Sequence, residues 1–162
     1  MENLILGEFE KQNSKTGEIL MLRNLQYGLM KNLNPKQQDD FNSAINSLIE
    51  KGLVTYEDGT SGPACLRLTE QGFENLYQNS IDIEQIKDLV LKEFEKQNSR
   101  EGDVVMMRNL NFNLIQSLNP KEKELFLPAV NGLIDNGLVT YEYGSSGIES
   151  LKLTEQGYDK LY

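Results

Sequence analysis

Residues 4–77 of this chain recur in residues 89–162, and the two stretches align at an offset of 85 residues without a gap. Phe9 falls on Phe94, Arg23 on Arg108, Pro35 on Pro120, Gly52 on Gly137 and Tyr77 on Tyr162. Three strings are identical: EFEKQNS at 8–14 and 93–99, GLVTYE at 52–57 and 137–142, and LTEQG at 68–72 and 153–157. A gapless match of this length is an internal duplication, so both copies should adopt one fold. The chain is therefore read as two small domains, residues 1–79 and 80–162, where its length alone would suggest one. The joint at 78–81 is too short for a flexible tether. Asp82, with Gln85 three positions on, predicts a capped helix directly after it.

Within one copy, the first helix is expected to run to about Asn13 with Leu6 and Phe9 inward, and the chain then turns near Gly17. The apolar runs at 19–22 (Ile-Leu-Met-Leu) and 104–107 (Val-Val-Met-Met) suit a short buried strand. Asn24 stands where a helix cap would, ahead of Leu25, Leu29 and Leu33 at steps of four. Asn34 and Pro35 supply a second cap, with proline at the first helical position. Phe41, Ala44, Ile45, Leu48 and Ile49 then mark one face of a third helix that stops at Gly52. Phe126, Ala129, Val130, Leu133 and Ile134 repeat it up to Gly137, with Pro128 expected to kink or restart the helix. Residues 53–57 and 66–68 read as two strands around a Gly/Ser-rich turn at 58–62, and Thr69 caps a last short helix. The predicted class is α+β, mainly helical, with the order α-β-α-α-β-β-α in each copy.

The string LIEKGLV at 48–54, a loop, and then LRLTEQG at 66–72 resembles the recognition-helix, wing and last-helix passage of winged-helix regulators, the MarR-like ones especially. The resemblance covers both copies and rests on residues that determine a fold: a helix face, a helix-ending glycine, a strand pair and a capping threonine. It implies two tandem winged-helix domains that imitate a dimer of one-domain subunits, a pseudo-dimer within one chain. It also implies a transcription-regulator-like protein with double-stranded DNA as partner, the third helix in the major groove and the wing on the backbone.

Under that reading the solvent face of the third helix supplies the contacts. Gln37, Gln38, Asn42 and Asn46 are placed to read base edges in copy one, with Asn131 at the matching place in copy two. Lys36, Lys121 and Lys123 stand at the N-terminal ends of the third helices, where the helix dipole also favours phosphate, and Arg23 and Arg108 add cations. Several features oppose it. The helix also carries Asp39, Asp40 and Glu50, the wing carries Glu57 and Asp58, and the net charge of -9 repels polyanions. In copy two Leu127 and Pro128 replace Asn42 and Ser43, and a solvent-facing leucine beside a proline suits a protein contact. The alternative is therefore a protein-interaction adaptor that uses the acidic and apolar surface of the same scaffold and does not bind DNA. The repeated Arg23-Asn24-Leu25 is read as a cap with a neighbouring ion pair, and the EKQNS strings as a solvated helix end.

Catalytic chemistry has little to work with. The chain has no histidine, which removes the commonest general base and metal ligand. Its one cysteine, Cys65, is matched by Ser150, and Asp39-Asp40 lacks the spacing of a metal site. No glycine loop precedes a helix as a phosphate site requires. The expectation is a non-enzymatic binding protein without a cofactor. No apolar run approaches a membrane span, and the first residues lack a signal-peptide pattern, so a cytoplasmic protein with no membrane association is expected.

Overall fold

The computed structural model describes residues 1–59, 62–144, 147 and 149–162, and in it the chain is α+β and mainly helical. It divides into two compact units, Met1–Gln78 and Asn79–Tyr162. Unit one runs α1 (Glu2–Lys11), β1 (Ile19–Met21), α2 (Leu22–Leu29), a 3-10 turn (Met30–Asn32), α3 (Pro35–Glu50), β2 (Val54–Glu57), β3 (Cys65–Leu68) and α4 (Glu70–Leu76). Unit two runs α5 (Ile83–Lys96), β4 (Val104–Met106), α6 (Met107–Asn113), a 3-10 turn (Ile115–Ser117), α7 (Pro120–Asp135), β5 (Val139–Tyr143), β6 (Glu149–Leu153) and α8 (Glu155–Leu161). The 3-10 turn between the second and third helices is the one element the residue pattern does not announce. Of the expected turn at 58–62, Thr60 and Ser61 lie outside the described residues.

Each sheet is antiparallel, with the last strand in the middle: β1-β3-β2 in one unit and β4-β6-β5 in the other. Leu66 faces Leu20 on one side and Tyr56 on the other, and Leu151 faces Val105 and Tyr141 in the same way. Phe9, Phe41, Leu48, Leu66 and Leu68 are fully buried in the first core, and Phe94, Leu110, Leu133, Leu151 and Leu153 in the second. Burying a side chain of this size stabilises by roughly 1.5–3 kcal/mol, which is what holds so small a unit together.

Local signals set the helix starts. Asn34 Oδ1 accepts from the Gln37 N–H at 3.0 Å while Gln37 Oε1 accepts from the Asn34 N–H at 3.0 Å, a complete capping box. Asp82 with Gln85 and Asn119 with Glu122 form two more. The identical EKQNS strings have a structural cause. Asn13 and Asn98 both sit at φ 50°, a left-handed conformation asparagine tolerates, and the Ser14 N–H donates back to the Phe9 carbonyl at 2.9 Å. Ser14 and Ser99 are buried by that turn, so these strings close a helix and are not simply a solvated face.

Three expectations are corrected. Asn24 caps nothing: β1 pairing carries the chain to Leu22, whose N–H donates to the Ala64 carbonyl at 2.9 Å, and α2 starts there, leaving Asn24 inside the first turn. β1 is covered on one face only: Leu20 points into the core, and Ile19, on the opposite face of the pleat, is exposed. Helix α7 continues through Pro128 without restarting. The proline leaves the Glu124 carbonyl without its helical donor, and both residues are exposed, so solvent can serve that carbonyl.

Gly72 and Gly157 are the tightest points of each unit. A Cβ on Gly72 would run into the Leu53 carbonyl oxygen and the Leu68 side chain, and one on Gly157 into the Leu138 carbonyl and Leu153. Gly72→Ala and Gly157→Ala are each expected to cost about 3 kcal/mol or more in urea unfolding. Gly7→Ala, in a helix with open space around it, should be neutral or stabilising by up to about 1 kcal/mol. Equal stability of Gly72→Ala and Gly7→Ala contradicts this packing.

Candidate nucleic-acid interface

Helix α3 turns Phe41, Ala44, Ile45 and Leu48 inward, which leaves Lys36, Asp39, Asp40, Asn42, Ser43, Asn46 and Glu50 exposed. Lys36, Asn42 and Asn46 therefore stand free for a ligand. Gln37 and Gln38 have local tasks instead. Gln37 closes the capping box, and the Gln38 amide donates to the carbonyls of Met30 at 3.2 Å and Leu33 at 3.1 Å. The latter bonds satisfy the end of the 3-10 turn and hold it against the start of α3. In α7, Lys121 and Lys123 are half-buried, Asn131 is exposed, and Leu127 is 63% exposed beside the exposed Pro128. Glu122 accepts from the N–H groups of Asn119 at 2.9 Å and Ile81 at 3.0 Å, so its charge is tied to backbone.

The strand pair that follows offers anions and rings, not cations. Arg67 reaches Glu57 with Nε at 2.6 Å and Nη2 at 3.0 Å, and also donates to the Gly17 carbonyl. The Arg67 guanidinium holds the Glu57 carboxyl below the usual glutamate range. Lys152 pairs with Glu142 at 3.0 Å in the second unit. The basic side chain at this place in each unit is thus neutralised by its neighbouring strand, while Tyr56, Tyr141 and Tyr143 are exposed. Cys65 lies across from Glu57 with Sγ 3.5 Å from its carboxylate. Burial and that carboxylate push the thiol up, so it stays protonated.

The second helix carries the features the residue pattern left unread. Arg23 and Arg108 are exposed and make no ion pair among the described residues, so the neighbouring pair expected for Arg23 is absent. One turn later stand Tyr27, 71% exposed, and Phe112, 67% exposed, at matching positions of the two units. Lys31 is exposed as well. From 22 to 38 the chain carries Arg23, Lys31 and Lys36 and no carboxylate. From 107 to 123 it carries Arg108, Lys121 and Lys123 against Glu122, whose carboxylate is engaged with backbone. A cationic stretch recurs at one place in both units of an acidic chain. The signal was present in the sequence: Tyr27 and Phe112 fall off the apolar stripe of Leu25 and Leu110, where an aromatic has no core to fill.

Protein-family models give no match to this chain, and no curated protein matches it. Gln38 and Asn42 separate the two roles of this helix. Gln38→Ala is expected to lower stability by about 1 kcal/mol, because two carbonyls lose their donor. Asn42→Ala should stay within about 0.5 kcal/mol of the parent. Denaturant midpoints in the reverse order contradict the assignment.

Proposed function

We propose that this chain is a non-enzymatic, DNA-associated protein of transcription-regulator-like type, built from two tandem winged-helix domains. Each unit's strand pair takes the place of the wing. The stretch from the second helix to the start of the third takes the phosphate contacts. The observation that carries this reading is the charge segregation just described: a carboxylate-free run with Arg23, Lys31 and Lys36 exposed, on a chain of net charge -9. Phosphate contact supplies most nonspecific affinity, and Arg23 and Lys31 make no ion pair among the described residues, although Asp39 and Asp40 follow Lys36 by one turn of α3. Arg67 and Lys152 in the strand pairs are paired to Glu57 and Glu142 and are not counted among the phosphate contacts. Asn42 and Asn46 then face bases in unit one, while Leu127 and Pro128 leave unit two a backbone role.

A protein partner is the second reading, favoured by Leu127 at 63% exposure and Tyr143 at 69%. An exposed leucine, and an exposed tyrosine on a strand that carries a glutamate, suit a partner with a basic rim and an apolar centre.

The test is a titration of the full chain with mixed-sequence duplex DNA near 50 mM salt. Micromolar binding is expected, with a log–log salt slope between about −3 and −5, the range for three to six phosphate contacts at −0.9 each. Lys36→Glu combined with Lys121→Glu should weaken it about tenfold or more. No binding at that salt, of the duplex or of a single strand of equal length, leaves the protein-partner reading in its place.

A further inference from the structure

Tyr27 and Phe112 have no task inside their units. Each lies in the second helix on the side away from the buried Leu25 or Leu110, and each is about two-thirds exposed or more. The surrounding surface has diverged between the copies: Gln26 is matched by Asn111, Gly28 by Asn113 and Lys31 by Gln116. The aromatic has persisted through that divergence, but its hydroxyl has not. What the two positions share is a flat ring face with an arginine one turn earlier. A hydrogen bond through the tyrosine oxygen is therefore not the common function. Stacking is.

We propose that Tyr27 and Phe112 are stacking platforms for unpaired bases of a DNA strand, with Arg23 and Arg108 on the flanking phosphates. This rests on the DNA reading above and names the form of DNA that reading prefers. Three observations favour it. Bases in a duplex present only their edges, so a ring projecting from a convex helix meets a base face only where the strand is open. The stretch bearing each ring is cationic and holds no free carboxylate, which complements a phosphate backbone and opposes an acidic peptide. The same pair occurs once in each unit, and a ring that recurs with its arginine suits a ligand of repeating bases better than a single pocketed side chain. A ring and a cation in alternation are the ordinary means of holding single strands without sequence preference.

The experiment uses the full chain, a labelled oligo(dT) strand and a duplex of equal length, followed by fluorescence anisotropy at low salt. The strand is expected to bind more tightly than the duplex. Tyr27→Ala with Phe112→Ala should weaken strand binding about fivefold or more and leave duplex binding unchanged. Tyr27→Phe should bind the strand like the parent. The chain contains no tryptophan, so Tyr27→Trp places a single indole at the site, and oligo(dT) should quench it. Both rings lie in solvent, so circular dichroism of the variants should match the parent. Duplex binding with no effect of the double alanine variant on the strand overturns the stacking proposal and leaves the DNA reading standing. An equal loss of strand and duplex binding overturns it too, because the rings then serve a duplex contact. Binding of neither DNA overturns both.

Discussion

The hydroxyl of Thr69 sits where three elements of the first unit meet. It accepts from the Gly72 N–H at 2.9 Å, which starts α4, and donates to the Gly52 carbonyl at 2.6 Å with the Leu53 carbonyl at 3.0 Å sharing the proton. The Thr69 N–H donates to the same Leu53 carbonyl at 3.2 Å. The end of α3, the entry to β2 and the start of α4 are thereby fixed to one another. Thr154 repeats the arrangement with Gly137, Leu138 and Gly157. Gly52 and Gly137 take φ 68° to let the chain leave the helix toward this clamp, which only glycine does without strain. Replacing such a threonine removes a cap and two carbonyl partners together. Thr69 and Gly72, and Thr154 and Gly157 in the second copy, are the positions of LTEQG that this clamp requires.

Because the clamp fixes α3 against the strand pair, the surface before it and the surface after it become separate territories. Ahead of the clamp, the second helix and the first turn of α3 carry the cations. Behind it, each strand pair holds its basic side chain against a neighbouring glutamate. Exposed pairs of this kind contribute little stability, commonly below about 1 kcal/mol, so their main consequence is electrostatic: they silence Arg67 and Lys152 toward outside anions. A chain of net charge -9 can thus keep cationic surface in both units.

Much of the fold was legible in the residues. The stripe at Phe41, Ala44, Ile45 and Leu48, the Asn34 cap, the Asp82 capping box and the Thr69 cap each have a local signature and form where they were expected, whereas Ile49, expected on the same stripe, is exposed. Asn24 failed as a cap because strand pairing at Leu22 outranked a side-chain preference, a tertiary effect that local pattern does not contain. Helix α7 runs through Pro128, so of the expected kink or restart the restart does not occur. The site was less legible. Gln37 and Gln38 looked like contact residues by exposure of their helix face, yet the 3-10 turn that engages Gln38 is invisible in the residue pattern. Tyr27 and Phe112 belong to no motif of the resembled family, and only their position off the apolar stripe of the second helix marks them.

Under the proposed reading, DNA meets the second helix and the start of the third in each unit, and not the strand pair. Amide hydrogen exchange of the full chain, with and without saturating DNA, tests it most directly. The account predicts new protection in residues 22–38 and 107–123, with the strands at 54–57, 65–68, 139–143 and 149–153 unchanged. Protection centred on those strands, or no change anywhere at saturation, would contradict it.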